Sequence, residues 1–117
     1  MTNPLQNPDL EVTCADTAQA LEDGSATVID VREPYEWDAG RIAGVRHIPL
    51  DRLAAEAESI DSSVPVIFHC RLGVRSLIAA QAFMAAGLDA RSMAGGIQAW
   101  HDEGRPMEPD GAVVAEH

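Results

Sequence analysis

The sequence predicts an α/β fold with a mainly parallel sheet, and three observations carry that expectation. Short β-branched runs alternate with helix-forming runs along the 117 residues. The two most apolar short runs, residues 27–31 and 66–68, are of the buried-strand type. Glycines at 24, 87 and 95–96 punctuate the helical runs.

Each element follows in turn. Residues 1–9 hold two prolines and two asparagines and are expected to be loose. Residues 10–13 form a short strand candidate, with Cys14 packed as a small hydrophobe at its end. A helix is expected over 17–22, with Asp16 as its N-cap and Gly24 as its stop. After the strand at 27–31, Pro34 opens a short helical turn holding Tyr35, Glu36 and Trp37. Residues 47–49 read as a brief strand before a helix at 50–60, with Asp51 near its first turn. The strand at 66–68 feeds a helical run at 77–86, which ends at Gly87. A strand at 89–94, a Gly95-Gly96 turn and a helix at 97–103 complete the pattern. One domain over 10–108 is expected, with 109–117 as a flexible C-terminal tail.

Composition narrows the function. Nineteen acidic residues face eight arginines and no lysine, for a net charge of −11. Phosphate backbones need clustered cations, so nucleic acid is not an expected partner. No run approaches the roughly 18–20 apolar residues of a membrane span. The first nine residues lack the basic and apolar regions of a signal peptide, and two cysteines make no disulfide framework. The expectation is a cytoplasmic protein. His47, His69, His101 and His117 lack ligand spacing, and Gly95-Gly96 has no third glycine at the offset a nucleotide would need. No metal and no cofactor are expected.

The chemistry concentrates in residues 66–76, where a strand turns into a helix through Cys70-Arg-Leu-Gly-Val-Arg75. Such a loop aims backbone N–H groups inward, and the helix N-terminus adds about half a positive charge. Gly73 gives the loop room to curl, and Arg71 and Arg75 flank the cysteine. This is an environment for a thiolate beside an anion. Asp30 and Arg32, two apart at a strand end, project from one side of their strand. His69 precedes Cys70 and points to the opposite face, which makes it structural.

His69-Cys-Arg-Leu-Gly-Val-Arg-Ser76 resembles the active-site loop of the rhodanese-like (sulfurtransferase) family. Three further stretches match in the same order. Asp30-Val-Arg32 with Glu36-Trp37 resembles the family's Asp-Val-Arg…Glu-Trp signature. Gly40-Arg-Ile-Ala-Gly44 with His47-Ile-Pro49 resembles its Gly-His-Ile segment, Arg41 standing in place of the histidine. Gly95-Gly96, Trp100 and Gly104-Arg-Pro106 resemble its closing segment. The resemblance sharpens the fold to a three-layer one, a five-stranded sheet with helices on both faces.

The resemblance implies sulfur transfer. Cys70 is the expected nucleophile and carrier of a persulfide, and Arg75 anchors the loop and stabilises negative charge. Arg71 meets an anionic donor such as thiosulfate, while Leu72 and Val74 shield the persulfide from water. Gly73 belongs to the substrate-binding loop, and Ser76 is expected to cap the helix through its hydroxyl. Asp30 and Arg32 are expected to brace the loop. The donor is thiosulfate or a persulfide-bearing protein, and the acceptor cyanide, a thiol or a partner protein. Two other readings compete. Cysteine-dependent phosphatases and arsenate reductases place arginine at the sixth position after the cysteine, where Ser76 stands. A docking or regulatory module without catalysis is the remaining alternative.

Overall fold

Val28, Ile29, Val66, Ile67 and Phe68 are at most 5 % exposed, and burial on both faces puts their strands at the centre of the sheet. The computed structural model describes residues 10–117; the expectation for 1–9 lies outside them. In chain order the elements are β1 (Glu11–Val12), α1 (Cys14–Asp23), β2 (Thr27–Asp30), α2 (Pro34–Ala39) and β3 (Arg46–His47). After a broken helical stretch come β4 (Val66–His69), α4 (Val74–Ala85), β5 (Ala90–Met93) and α5 (Gly96–Asp102). The five strands pair in the order β1-β5-β4-β2-β3, every neighbour parallel. The expected α/β class and five-stranded parallel sheet are what the chain adopts.

Strand alternation splits the core in two. Ile29, Val66, Phe68 and Cys70 face a core completed by Ala79, Ala80 and Phe83 of α4. Val28, Ile67 and Met93 face a second core with Cys14 and Ala20 of α1 and Ile97 and Trp100 of α5. The sheet thus carries helices on both faces. Strands β2 and β4 are neighbours, yet the chain leaves β2 for β3 on one side and β4 for β5 on the other. Loops that diverge in this way open a crevice beyond the strand ends. Cys70 sits there.

Three elements differ most from the sequence reading. Helix α1 begins earlier, because Thr13 caps it: its hydroxyl accepts from the Asp16 amide at 3.0 Å, and the Asp16 carboxylate accepts the Thr13 N–H at 3.3 Å. Asp16 is therefore the third helical residue, and Cys14 lies in the first turn. The expected 50–60 helix is three short pieces, Leu50–Arg52 and Ala57–Ser59 as 3-10 turns around α3 (Leu53–Glu56). Only Leu53 and Ile60 are buried there, too narrow an apolar stripe to hold a continuous helix. Helix α4 starts at Val74, three residues ahead of its apolar run.

Residues 109–117, expected to be a loose tail, instead run back along α2. The Val113 N–H donates to the Ala39 carbonyl at 3.0 Å, and Tyr35 Oη donates to the Glu116 carbonyl at 3.0 Å. Val114 packs on the α1–α5 core, and the Val113 backbone comes so near Gly40 that any side chain there would collide with it. The sequence offers few apolar anchors here, because three of these fastenings use backbone atoms.

Candidate active site

Cys70 is 1 % exposed, and its sulfur lies under the first turn of α4. It accepts the Gly73 N–H at 3.1 Å and the Ser76 N–H at 3.4 Å. Gly73, at φ 103°, turns the chain so that these two amides converge on one atom. The Ser76 hydroxyl stands 3.4 Å from the sulfur and 2.8 Å from the Ser92 hydroxyl of β5. Ser76 is thus not the expected cap. It is the third residue of a helix that has no side-chain cap, and its hydroxyl faces the sulfur. Two amides and a hydroxyl around a buried sulfur stabilise negative charge on it.

Arg75 is held by a residue to which the sequence reading gave a place in a turn and in the Glu-Trp signature but no role at the site. Its two terminal nitrogens lie 2.8 and 3.0 Å from the two carboxylate oxygens of Glu36, which is fully buried. Glu36 also accepts the Glu33 N–H at 3.0 Å, closing a capping box at the start of α2. One carboxylate thereby ties α2, which follows β2, to α4, which follows β4. Pro34 fixing the first turn of α2 two residues ahead of a carboxylate was the available signal.

The other side of the loop rests on α5. The Ile97 and Gln98 amides donate to the carbonyls of Cys70 and Arg71 at 2.8 and 3.0 Å. Gly96, at φ 62°, packs so tightly that a Cβ would strike both of those carbonyls. Gly96→Ala combines left-handed strain of about 1–2 kcal/mol with overpacking of about 1–3 kcal/mol. It is expected to cost about 2–5 kcal/mol in urea denaturation; a midpoint matching wild type would show that the contact yields freely.

Asp30 and Arg32 form a fully buried pair at 2.7 Å, and Arg32 also donates to the Gly40 carbonyl at 2.8 Å. Their link to the loop runs through His69, whose Nε2 lies 3.8 Å from Asp30. His69 is fully buried on the face opposite Cys70. Burial holds its pKa below the usual 6.5. Burial alone would raise the Asp30 and Glu36 carboxyls, but neighbouring positive groups and hydrogen bonds outweigh it and hold both below their ordinary 3.8 and 4.5. The signs follow. Between 6.5 and the lower folded value of His69, the unfolded chain takes up a proton that the folded one refuses, so stability falls as pH falls. The carboxylates contribute stability above about pH 4, which is lost as pH drops through their depressed folded values. The melting temperature should therefore fall in two stages on acidification, and His69→Gln should remove the first. An unchanged two-stage profile in that variant would overturn this account of His69.

A cavity of about 300 Å³ opens over the loop, lined by Cys70, Arg71, Leu72, Val74, Arg75 and His117. Leu72 and Val74 are 55 % and 67 % exposed and stand at its rim. The Nε of Arg71 is buried without a partner. Cys14 lies in the core on the other side of the sheet, its thiol pushed up to about 11 by burial and then by Glu103. That location separates it from Cys70 chemistry. Among the described residues no cluster of histidine, cysteine and carboxylates forms a metal site, and no helix is long and apolar enough to cross a membrane.

The site is thus a buried cysteine at the crevice of a parallel α/β sheet, ringed by amides and flanked by arginine. Residues 13–103 match the Rhodanese-like domain family, and the chain belongs to it. It is 34 % identical over 84 residues to the thiosulfate sulfurtransferase GlpE of Pseudomonas fluorescens, covering 71 % of this chain and 77 % of that protein. It is 40 % identical over 76 residues to the uncharacterized protein YqhL of Bacillus subtilis, covering 64 % of this chain and 60 % of YqhL, under two thirds of its length. Among solved structures, a rhodanese-related protein of Thermoplasma volcanium superposes with a TM-score of 0.77 at 32 % identity, over 84 % of this chain and 96 % of the other.

Proposed function

We propose that this protein is a sulfurtransferase that carries sulfane sulfur as a persulfide on Cys70. The supporting observation is the convergence of the Gly73 and Ser76 amides on Sγ, at 3.1 and 3.4 Å, at the floor of a small cavity. The Cys70 thiolate attacks the outer sulfur of thiosulfate; the donor's S–S bond breaks, and its electron pair leaves on sulfite. The outer sulfur of the persulfide then passes to cyanide, a thiol or a partner protein. Amides arranged around one sulfur suit the second sulfur added to it. A protein persulfide is the alternative donor. Leu72 and Val74 limit water at the cavity mouth.

Phosphate-ester hydrolysis suits the site less well. It needs an arginine fork to bind the phosphate, and Arg75 already gives one N–H of each terminal nitrogen to Glu36. Intact mass after incubation with thiosulfate tests the proposal. A gain of about 32 Da, removed by cyanide, is expected for a persulfide. No gain from thiosulfate or from a protein persulfide would overturn it in favour of a docking role.

A further inference from the structure

The site contains a residue that the loop does not supply. His117 lines the Cys70 cavity together with Arg71. It is brought there by a series of fastenings along α2. Arg41 and Glu108 exchange backbone hydrogen bonds at 2.9 and 2.8 Å, Val113 bonds to Ala39, Val114 enters the α1–α5 core, and Tyr35 holds the Glu116 carbonyl. Helix α2 therefore serves the cavity twice. Its buried Glu36 holds Arg75 from inside, and Tyr35, one residue earlier, holds the residue preceding His117 from outside.

The cavity has few polar groups left for a substrate. Arg75 gives one N–H of each terminal nitrogen to Glu36. Leu72 and Val74 are apolar. Arg71 has a buried nitrogen without a partner, and His117 is a further polar residue lining the space. The chain as a whole carries −11 and repels anions at long range. An anionic donor entering this cavity must be held by local hydrogen bonds. At about 300 Å³ the space fits a small molecule.

We infer that His117 is a donor-binding residue: its imidazole N–H and the Arg71 guanidinium together hold the sulfonate oxygens of a thiosulfate-class anion, aiming the sulfane sulfur at Cys70. The inference rests on the sulfurtransferase reading and narrows the donor to a small thiosulfonate-type anion. The transfer itself moves no proton. The Cys70 thiolate forms the new S–S bond, and sulfite departs with the electron pair of the old one. His117 acts on binding alone.

Steady-state kinetics with thiosulfate and cyanide test this, with wild-type persulfide formation followed by mass in parallel. His117→Ala is expected to raise the KM for thiosulfate about 3–10-fold, the loss of one hydrogen bond to a charged group at a partly exposed site. The kcat and the KM for cyanide should stay within about 2-fold, the signature of lost ground-state binding. His117→Gln, which keeps an N–H donor, should restore most of the affinity. Tyr35→Phe, which releases the Glu116 carbonyl, should raise the same KM by a smaller factor. If wild type forms the persulfide and His117→Ala keeps the wild-type KM for thiosulfate, the role of His117 is overturned and the sulfurtransferase reading stands. If wild type forms no persulfide from thiosulfate, the His117 role falls with the thiosulfate donor.

Discussion

Cys70→Ser is expected to abolish persulfide formation while leaving the fold in place. The substitution exchanges sulfur for oxygen on the same side-chain skeleton. The Gly73 and Ser76 amides that donate to Sγ at 3.1 and 3.4 Å remain able to donate to a hydroxyl. The buried site therefore keeps its hydrogen bonds, and the melting temperature should move by no more than about 5 °C, the equivalent of roughly 1 kcal/mol for a domain of this size. The chemistry does not survive. A serine hydroxyl is a poor nucleophile without an adjacent base, and His69 points to the other face of the sheet. Sulfur transfer should fall by at least about 10³-fold, the scale of removing a covalent nucleophile, with no mass gain after thiosulfate. A Cys70→Ser protein that still gained the sulfur would move the carrier elsewhere, and buried Cys14 would then have to be re-examined as the one remaining thiol.

The shape of the cradle around Cys70 was legible in the sequence because it lies in one local run. A strand, a cysteine, a glycine and two arginines within ten residues specify a cradle whose geometry follows from backbone rules. What was hidden is what holds the cradle. Glu36 is 39 residues from Arg75, and only the adjacency of β2 and β4 in a sheet ordered β1-β5-β4-β2-β3 brings them together. Asp30 and Arg32 were expected to brace the loop because the resemblance implied it. They spend those charges on each other and on Gly40, and touch the loop region only through His69. The contacts of the 109–117 segment were hidden for a related reason. Sequence patterns report side chains, and that segment is held chiefly by carbonyl and amide groups. Capping was similarly ambiguous between Thr13 and Asp16, since a capping box uses both.

Glu36→Ala is expected to combine a large stability cost with a loss of activity that Arg75 alone does not explain. The carboxylate is fully buried, and three hydrogen bonds end on it, two from Arg75 and one from the Glu33 amide. Removing one partner of a buried pair costs about 3–5 kcal/mol when the other charge stays buried. The Arg75 side chain is 16 % exposed and gains some relief from water, so the low end of that range, about 3 kcal/mol, is expected. Loss of the capping box at α2 adds about 0.5–1 kcal/mol. Freed from Glu36, Arg75 no longer fixes the first turn of α4, and that turn carries the Ser76 amide aimed at the sulfur. A displacement near 1 Å there would lower kcat about 10²-fold. Glu36→Gln separates the two effects. It retains the shape and one acceptor for Arg75 while removing the charge, so stability should fall by about half as much and kcat by about 10-fold. The carboxyl also sits below its ordinary 4.5, so wild type should lose this contribution when acidified below that value. Glu36→Ala, already lacking it, should show a flatter acid profile than wild type over the same range. Glu36→Ala with wild-type kcat would show that α5, through its Ile97 and Gln98 amides, is enough to hold the loop. Loss of kcat in Glu36→Gln at nearly wild-type stability would establish that the pair acts by positioning the cradle as well as by holding the fold.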